Sequence, residues 1–408
     1  MIVKDEEAVI ERCLKSCLGF VSALCIYDTG STDNTIEVIE NFAEYNKLKC
    51  NVFRSEWRDF SHNRNECLQK ASSLYPDSWL FVMDADDSLE HETGGSAPLT
   101  PRGLCPLTGT CSSIAPVPPA WEGHASSDPA CQGRMVAIEH GKTSFQRIQL
   151  ISSNYAGTPQ GFYYKGVVHE CLISPPNAKI IKADGLKLIA RCEGARSKSL
   201  TKYSDDAAML LAHYKNNPEC TRTVFYLAQS YRDSGELDLA RKYYHLRVAM
   251  KGWEEEVYVS LMNLIKLCTN GTEILKYAYQ AQNLTSCYDR TEAIYLCMRW
   301  WRLNASPKDY PIELGYLGLG VALTGQVKDR GQRPLHLFEE DNSWHLYDEV
   351  TVISYYVGNK LPKPNVVWSN GLLCAQAALA AFNKSGTWEG HDSPTNDRLQ
   401  KNLDYFVS

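Results

Sequence analysis

The feature that most constrains this chain is an alternation within residues 1–92, where short apolar runs ending in polar clusters are separated by stretches with helical spacing. Ala23-Leu-Cys-Ile-Tyr27 reads as a buried strand, and Thr35 to Tyr45 then places Ile36, Ile39, Phe42 and Ala43 on one side of a helix. Cys50-Asn-Val-Phe53 is the next strand and His62 to Leu74 the next helix. Trp79-Leu-Phe-Val-Met83 is a strand that stops at carboxylates, and Met1-Ile2-Val3 reads as the end of another. A βαβαβ order predicts a parallel sheet, because each crossover helix returns the chain to the same end. Ligands of such sheets gather at the carboxyl ends of the strands.

Acidic clusters stand at two of those ends. In Tyr27-Asp-Thr-Gly-Ser-Thr-Asp-Asn-Thr35, Gly30 permits a tight turn and Ser31, Thr32 or Asp33 can cap the following helix. Asp28 is placed to accept hydrogen bonds from a nucleoside, and a capped turn without a ligand explains the same residues. In Phe81-Val-Met-Asp-Ala-Asp-Asp87 the carboxylates of Asp84 and Asp86 repel each other unless a cation lies between them. Oxygen ligands suit Mg²⁺ or Mn²⁺, which would offset charge on a leaving diphosphate. A solvated acidic loop is the alternative.

Residues 93–133 hold seven of the eighteen prolines, many Gly and Ser, and neither periodicity, so they are expected to be a disordered insertion. Strand-like pieces resume from Met135 to about Ala190, including Gln146 to Ile151 and Tyr163 to Val168. From Lys202 the signal is helical. Val224, Leu227, Ala228 and Tyr231, then Ala240 and Tyr244 across an Asp233-Ser-Gly-Glu236 turn, have the spacing of a tetratricopeptide helix pair. A second copy follows at Tyr258, Leu261, Met262 and Ile265, then Ile274 and Ala278. Further helices are expected over Ala293–Leu303, Pro311–Leu323 and Gly371–Phe382. Trp300 and Trp301 are assigned to packing, not to a sugar platform.

Met1-Ile-Val-Lys-Asp-Glu-Glu7, Asp28 to Thr35, Phe60-Ser-His-Asn-Arg-Asn65 and Asp84-Ala-Asp-Asp87 fall in an order and spacing that resembles family 2 glycosyltransferases. Tyr164-Lys-Gly-Val-Val-His-Glu170, Glu193-Gly-Ala-Arg-Ser197, Phe225 to Asp233, Lys251-Gly-Trp-Glu-Glu255, and Asp348-Glu349 with Tyr355-Tyr356 resemble the subgroup with a tetratricopeptide extension. The resemblance implies an α/β GT-A fold, a mostly parallel mixed sheet, in 1–92 and 134–198. It further implies α-helical TPR-like repeats over 199–325 and an aromatic, helical extension over 326–408. It implies a nucleotide-sugar donor, UDP-linked by expectation, a divalent metal, and inverting transfer to a protein, peptide or glycan acceptor. Asp28, Arg64 and Asp84 would contact the donor, and Asp86, Asp84 and His169 the metal. Glu170 would take the acceptor's proton, with Glu139 as another carboxylate able to do so. Two positions depart from the pattern. Asp5 stands where the family has Asn, and Arg191-Cys192 stands where members place a histidine. The alternative reading is a catalytically degenerate glycosyltransferase-like protein that binds partners through its repeats.

Composition excludes other classes. With 48 acidic and 42 basic residues the net charge is -6, which disfavours nucleic acid as the main partner. The fifteen cysteines are odd in number and contain no Cys-x-x-Cys pair, so free, mostly buried thiols are expected instead of disulfides or zinc. No run approaches the ~18 apolar residues of a membrane span. Met1 to Glu7 lacks the features of a signal peptide, and a cytoplasmic protein is expected.

Overall fold

The computed structural model describes residues 1–91, 131–141, 143–287, 290–323, 343–385 and 394–407. The expected insertion therefore lies outside the described residues, apart from 131–133. The chain divides into two compact units, Met1–Met209 and Leu210–Ser408.

The first unit opens with the expected parallel sheet. It contains β1 (Ile2–Val3), β2 (Ala23–Asp28) and β3 (Lys49–Arg54), in the order β1-β2-β3. Helix α1 (Ile10–Ser16) joins β1 to β2, α2 (Thr35–Tyr45) joins β2 to β3, and α3 (Phe60–Leu74) follows β3. Ile10 and Leu14 of α1, Ile26 of β2, and Ile39, Phe42 and Ala43 of α2 share one core. α2 starts where Asp33 Oδ1 accepts from the Thr35 N–H at 3.0 Å, and α3 where Asp59 Oδ1 accepts from the His62 N–H at 2.7 Å.

The next strand departs from the simple βαβαβ expectation. β4 (Trp79–Phe81) pairs antiparallel with β7 (Thr143–Ser152), in a second sheet with β5 (Ser88–His91), β6 (Gly133–His140) and β10 (Ile180–Ile189). Its order is β4-β7-β6-β10-β5, and only β6 and β10 run parallel. A cavity of about 360 Å³ is lined by Ala23 and Cys25 of β2 and by Trp79 to Phe81 of β4. Alternation along β6 buries Val136 and Ile138 against Leu150 and Leu188. Leu68 and Ala71 of α3 close over Leu80, Ile151 and Phe162. A hairpin of β8 (Tyr163–Lys165) and β9 (Cys171–Ile173) packs on α3, and after β10 comes the short α4 (Ala195–Lys198).

α5 (Lys202–Asn216) runs across the boundary between units. The second unit stacks α6 (Thr221–Asp233), α7 (Leu237–Met250), α8 (Glu254–Leu267), α9 (Gly271–Gln282) and α10 (Glu292–Asn304), each against the next. The repeat positions face inward. Val224, Leu227, Ala228, Ala240 and Tyr244 are fully buried, as are Tyr258, Ile274 and Ala278 in the second copy. α11 (Ile312–Leu323), α12 (Ser343–Gly358), α13 (Val366–Ser385) and α14 (Pro394–Val407) complete the unit.

Several acids of this half sit inside it. Arg290 pairs with Glu255 at 2.5 Å and Glu292 at 3.2 Å, and Arg247 with Glu256 at 2.9 Å, all buried. Asp348 and Glu349 hold Arg398 and Arg302. The cysteines among the described residues are all free, and Cys192 is the exposed one. Among the described residues no helix is long and apolar enough to cross a membrane.

Candidate active site

A cavity of about 540 Å³ opens at the carboxyl ends of β1, β2 and β4. Its walls include Val3 to Glu6, Thr29, Trp57, Phe60, Arg64, Asp84, Asp86, and Arg191 with Gly194 to Ser197. Chain separations of about a hundred residues converge there. Asp86 Oδ2 accepts from the backbone N–H groups of Glu193 and Gly194, both at 3.0 Å, and Glu6 Oε2 accepts from the Ala195 N–H at 3.3 Å. Gly194 lets the strap come close to both carboxylates. A Cβ there would lie 3.0 and 3.1 Å from the Glu6 carboxylate oxygens and 3.4 Å from Asp86 Oδ2. Arg12 of α1 steadies the same strap, donating to the Asp86 carbonyl at 3.0 Å and pairing with Glu193 at 2.5 Å.

Electrostatics set these acids apart. Burial, and secondarily Asp86, push Glu6 up to about 7 against the N–H of Ala195. Burial, then the charges of Asp84 and Asp86, raise Asp87 to about 7. Asp87 is almost fully buried. Its Oδ1 accepts from the Arg191 N–H at 3.3 Å, while Oδ2 is an orphaned acceptor among the described residues. Asp84 behaves oppositely. Burial works against its charge, yet Arg64 and then Arg147 hold it below the usual carboxylate range.

Arg64 is the hub. Its Nη2 donates to Asp84 Oδ1 and its Nε to Glu170 Oε1, both at 2.6 Å, with the guanidinium over the Tyr164 ring at 5.4 Å. Burial opposes its charge, but Asp84 and Glu170 outweigh that and hold it well above the ordinary arginine value.

The structure thus gathers Asp84, Asp86 and Arg64 at the cavity and treats the other expected residues differently. Asp28 is buried, and its carboxylate accepts from the N–H groups of Gly30 at 3.3 Å and Ser31 at 3.0 Å. Its short side chain closes the turn after β2, and Thr29 lines the cavity in its place. Glu170 is drawn to Arg64 and stands outside the lining. His169 is exposed, takes a left-handed backbone (φ 52°) and stands outside the lining. Glu139 pairs with Lys187 at 3.3 Å, also outside the lining. Asp5 takes φ 55°, a conformation that Asn and Asp tolerate best, and its Oδ1 accepts from Thr32 N–H at 2.6 Å. An Asn carbonyl oxygen would serve equally, so this departure conserves the turn. Cys192 lies 3.4 Å from His140 Nε2 at the strap's exposed edge. Glu6, Asp87 and the amides of 193–195 were not foreseen as site groups. The Lys4-Asp-Glu-Glu7 run after a strand was the one local signal for Glu6.

The donor set fits a hard divalent cation. Asp84 and Asp86 bring carboxylates to the cavity, and buried Asp87 leaves Oδ2 without a partner among the described residues, oxygen donors of the kind such a cation takes. Among the described residues no group of three or more His, Cys, Asp or Glu side chains converges on one point.

Residues 1–93 match the family described as Glycosyl transferase family 2. The chain is 33% identical over 90 residues to a TPR repeat-containing protein of Synechococcus elongatus, covering 22% of this chain and 20% of that protein. It is 27% identical over 128 residues to the SPbeta prophage-derived glycosyltransferase SunS of Bacillus subtilis and to glycosyltransferase SunS of Bacillus phage SPbeta. Those matches cover 31% of this chain and 28% of each relative, so the chain spans less than a third of their lengths. The family 2 glycosyltransferase match thus covers the amino-terminal part of the first unit, and a helical unit follows it.

Proposed function

We propose that the protein transfers a sugar from a nucleotide sugar, with UDP as the nucleotide, to an acceptor, with inversion at the anomeric carbon. The observation that carries this reading is the cavity in which Asp84 and Asp86 stand together beside Arg64 at the strand ends. Asp84 and Asp86 would hold Mn²⁺ or Mg²⁺, which supplies compensation for the charge gathering on the leaving diphosphate. Arg64 orients the diphosphate through its remaining guanidinium donors, and Asp28 acts on the donor by shaping the loop that carries Thr29.

Inversion needs a carboxylate to receive the acceptor's proton as the acceptor atom attacks and the diphosphate departs. Glu170 takes that role while its Oε1 stays bonded to Arg64 Nε. Glu170→Gln then lowers kcat by about 10²–10⁴-fold at unchanged donor affinity. A raised donor KM with kcat retained would make Glu170 a positioning residue for Arg64. His169, next to Glu170, would touch the metal or the diphosphate. The acceptor is a protein or peptide, by analogy with the concave surfaces that helical repeats form.

A second reading draws on one observation, that Arg64 already spends two donors on protein carboxylates. In it the α/β unit is inert and the helices bind partners. The test is release of UDP from a panel of UDP-sugars with Mn²⁺. Turnover that Asp86→Asn abolishes supports the transferase, and none from a folded protein supports the second reading.

A further inference from the structure

We propose that Trp57 is the stacking platform for the nucleobase of the donor, an inference that rests on the nucleotide-sugar reading of the cavity. Trp57 lies between β3 and α3, 37% exposed, and lines the cavity. An indole left open to water is normally costly to hold in one place, yet the segment around this one is clamped. Fully buried Asn63 accepts from the Arg58 N–H at 3.1 Å and donates to Ser55 Oγ at 3.0 Å and to the Glu56 carbonyl at 2.9 Å. Ser55 donates its N–H to the Asp28 carbonyl at 2.9 Å and its hydroxyl to Glu66 at 2.5 Å. Phe60 meets the indole at 4.8 Å and 81°, and Arg196 covers the Phe60 ring at 4.7 Å. The result is a rigid aromatic wall whose Trp57 member stays open toward the cavity.

The rest of the lining decides which part of a donor belongs there. The carboxylates and N–H groups of Glu6, Asp86 and the 193–195 strap bond one another, forming a polar end suited to a cation, phosphates and sugar hydroxyls. Trp57 and Phe60 come from a different element and bring no carboxylate. Arg64 lines the same cavity and is bonded to Asp84. A flat heteroaromatic base gains most from a fixed indole face, and such stacking tolerates any base because every base has a π-face. The cavity, about 540 Å³, falls in the size range of small-ligand pockets.

The experiment titrates UDP and inorganic pyrophosphate, each with Mn²⁺, into wild type, Trp57→Ala and Trp57→Phe, with circular dichroism and thermal unfolding as checks on folding. Pyrophosphate keeps the metal and phosphate contacts and lacks the base. Trp57→Ala is expected to weaken UDP by about 5- to 150-fold and leave pyrophosphate unchanged, with Trp57→Phe in between. GDP should show the same pattern. Unchanged UDP affinity in Trp57→Ala overturns the platform and leaves the donor site standing. Equal loss of UDP and pyrophosphate also overturns it, because Trp57 would then only support the fold of the cavity. A folded wild type that binds neither probe overturns the nucleotide-sugar reading and the platform with it.

Discussion

Asp87→Asn separates charge crowding from packing at the site. Asp87 has an ordinary value of 3.8 and a folded value of about 7, with burial the largest cause. Its folded value is raised, so the proton it gains on folding stabilises the protein fully below pH ~4. That stabilisation is lost as pH rises through about 7. Between pH 5.5 and pH 8 the loss comes to about 2 kcal/mol from the two values. Asn keeps the acceptor for Arg191 N–H and removes the charge. Its amide then meets an orphaned position, a cost of about 1–3 kcal/mol that does not vary with pH. The assay is scanning calorimetry of the full chain in chelator at both pH values. The mutant should gain about 4–8 °C on wild type on going from pH 5.5 to pH 8. Saturating Mn²⁺ should shrink that gain, since a bound cation compensates the same charge. A wild-type-to-mutant difference that stays constant with pH refutes the reasoning.

Other expected outcomes are as direct. Arg64→Met leaves Asp84 and Glu170 unpaired in a half-dry site and should destabilise the α/β unit by about 3–5 kcal/mol, measured by hydrogen exchange in α3. Gly194→Ala pushes a methyl toward the carboxylates of Glu6 and Asp86, so Mn²⁺-dependent UDP affinity should fall at least about tenfold while the unfolding temperature of the helical unit stays put. Arg290→Met strands Glu255 and Glu292 in the second unit and should cost about 3–5 kcal/mol there, read from the helical circular dichroism transition, with UDP binding unchanged.

Local periodicity made much of the architecture legible. α2 falls on its expected residues because Ile39, Phe42 and Ala43 form a stripe that only a helix brings to one side. The two helix pairs from Val224 to Ala278 were legible for the same reason. α1 escaped notice because seven residues give too little periodicity, and α14 because its apolar positions are few. The joining of β4 to β7 was not visible either, since strand pairing depends on partners far along the chain. The site divides in the same way. Asp84 and Asp86 announce themselves by following a buried strand. The N–H groups that hold Asp86 lie 107 and 108 residues later, and Arg64 meets Glu170 across 106 residues. Asp28 closes its turn, and a turn-closing carboxylate looks the same in sequence as one that also meets a ligand.

The most direct test of the central claim is calorimetric titration of UDP, with and without Mn²⁺, into wild type and Asp86→Asn. Binding to wild type that requires Mn²⁺ and disappears in Asp86→Asn is the predicted result. Binding that ignores Mn²⁺, or that survives in Asp86→Asn, would contradict a metal-dependent donor site between Asp84, Asp86 and Arg64.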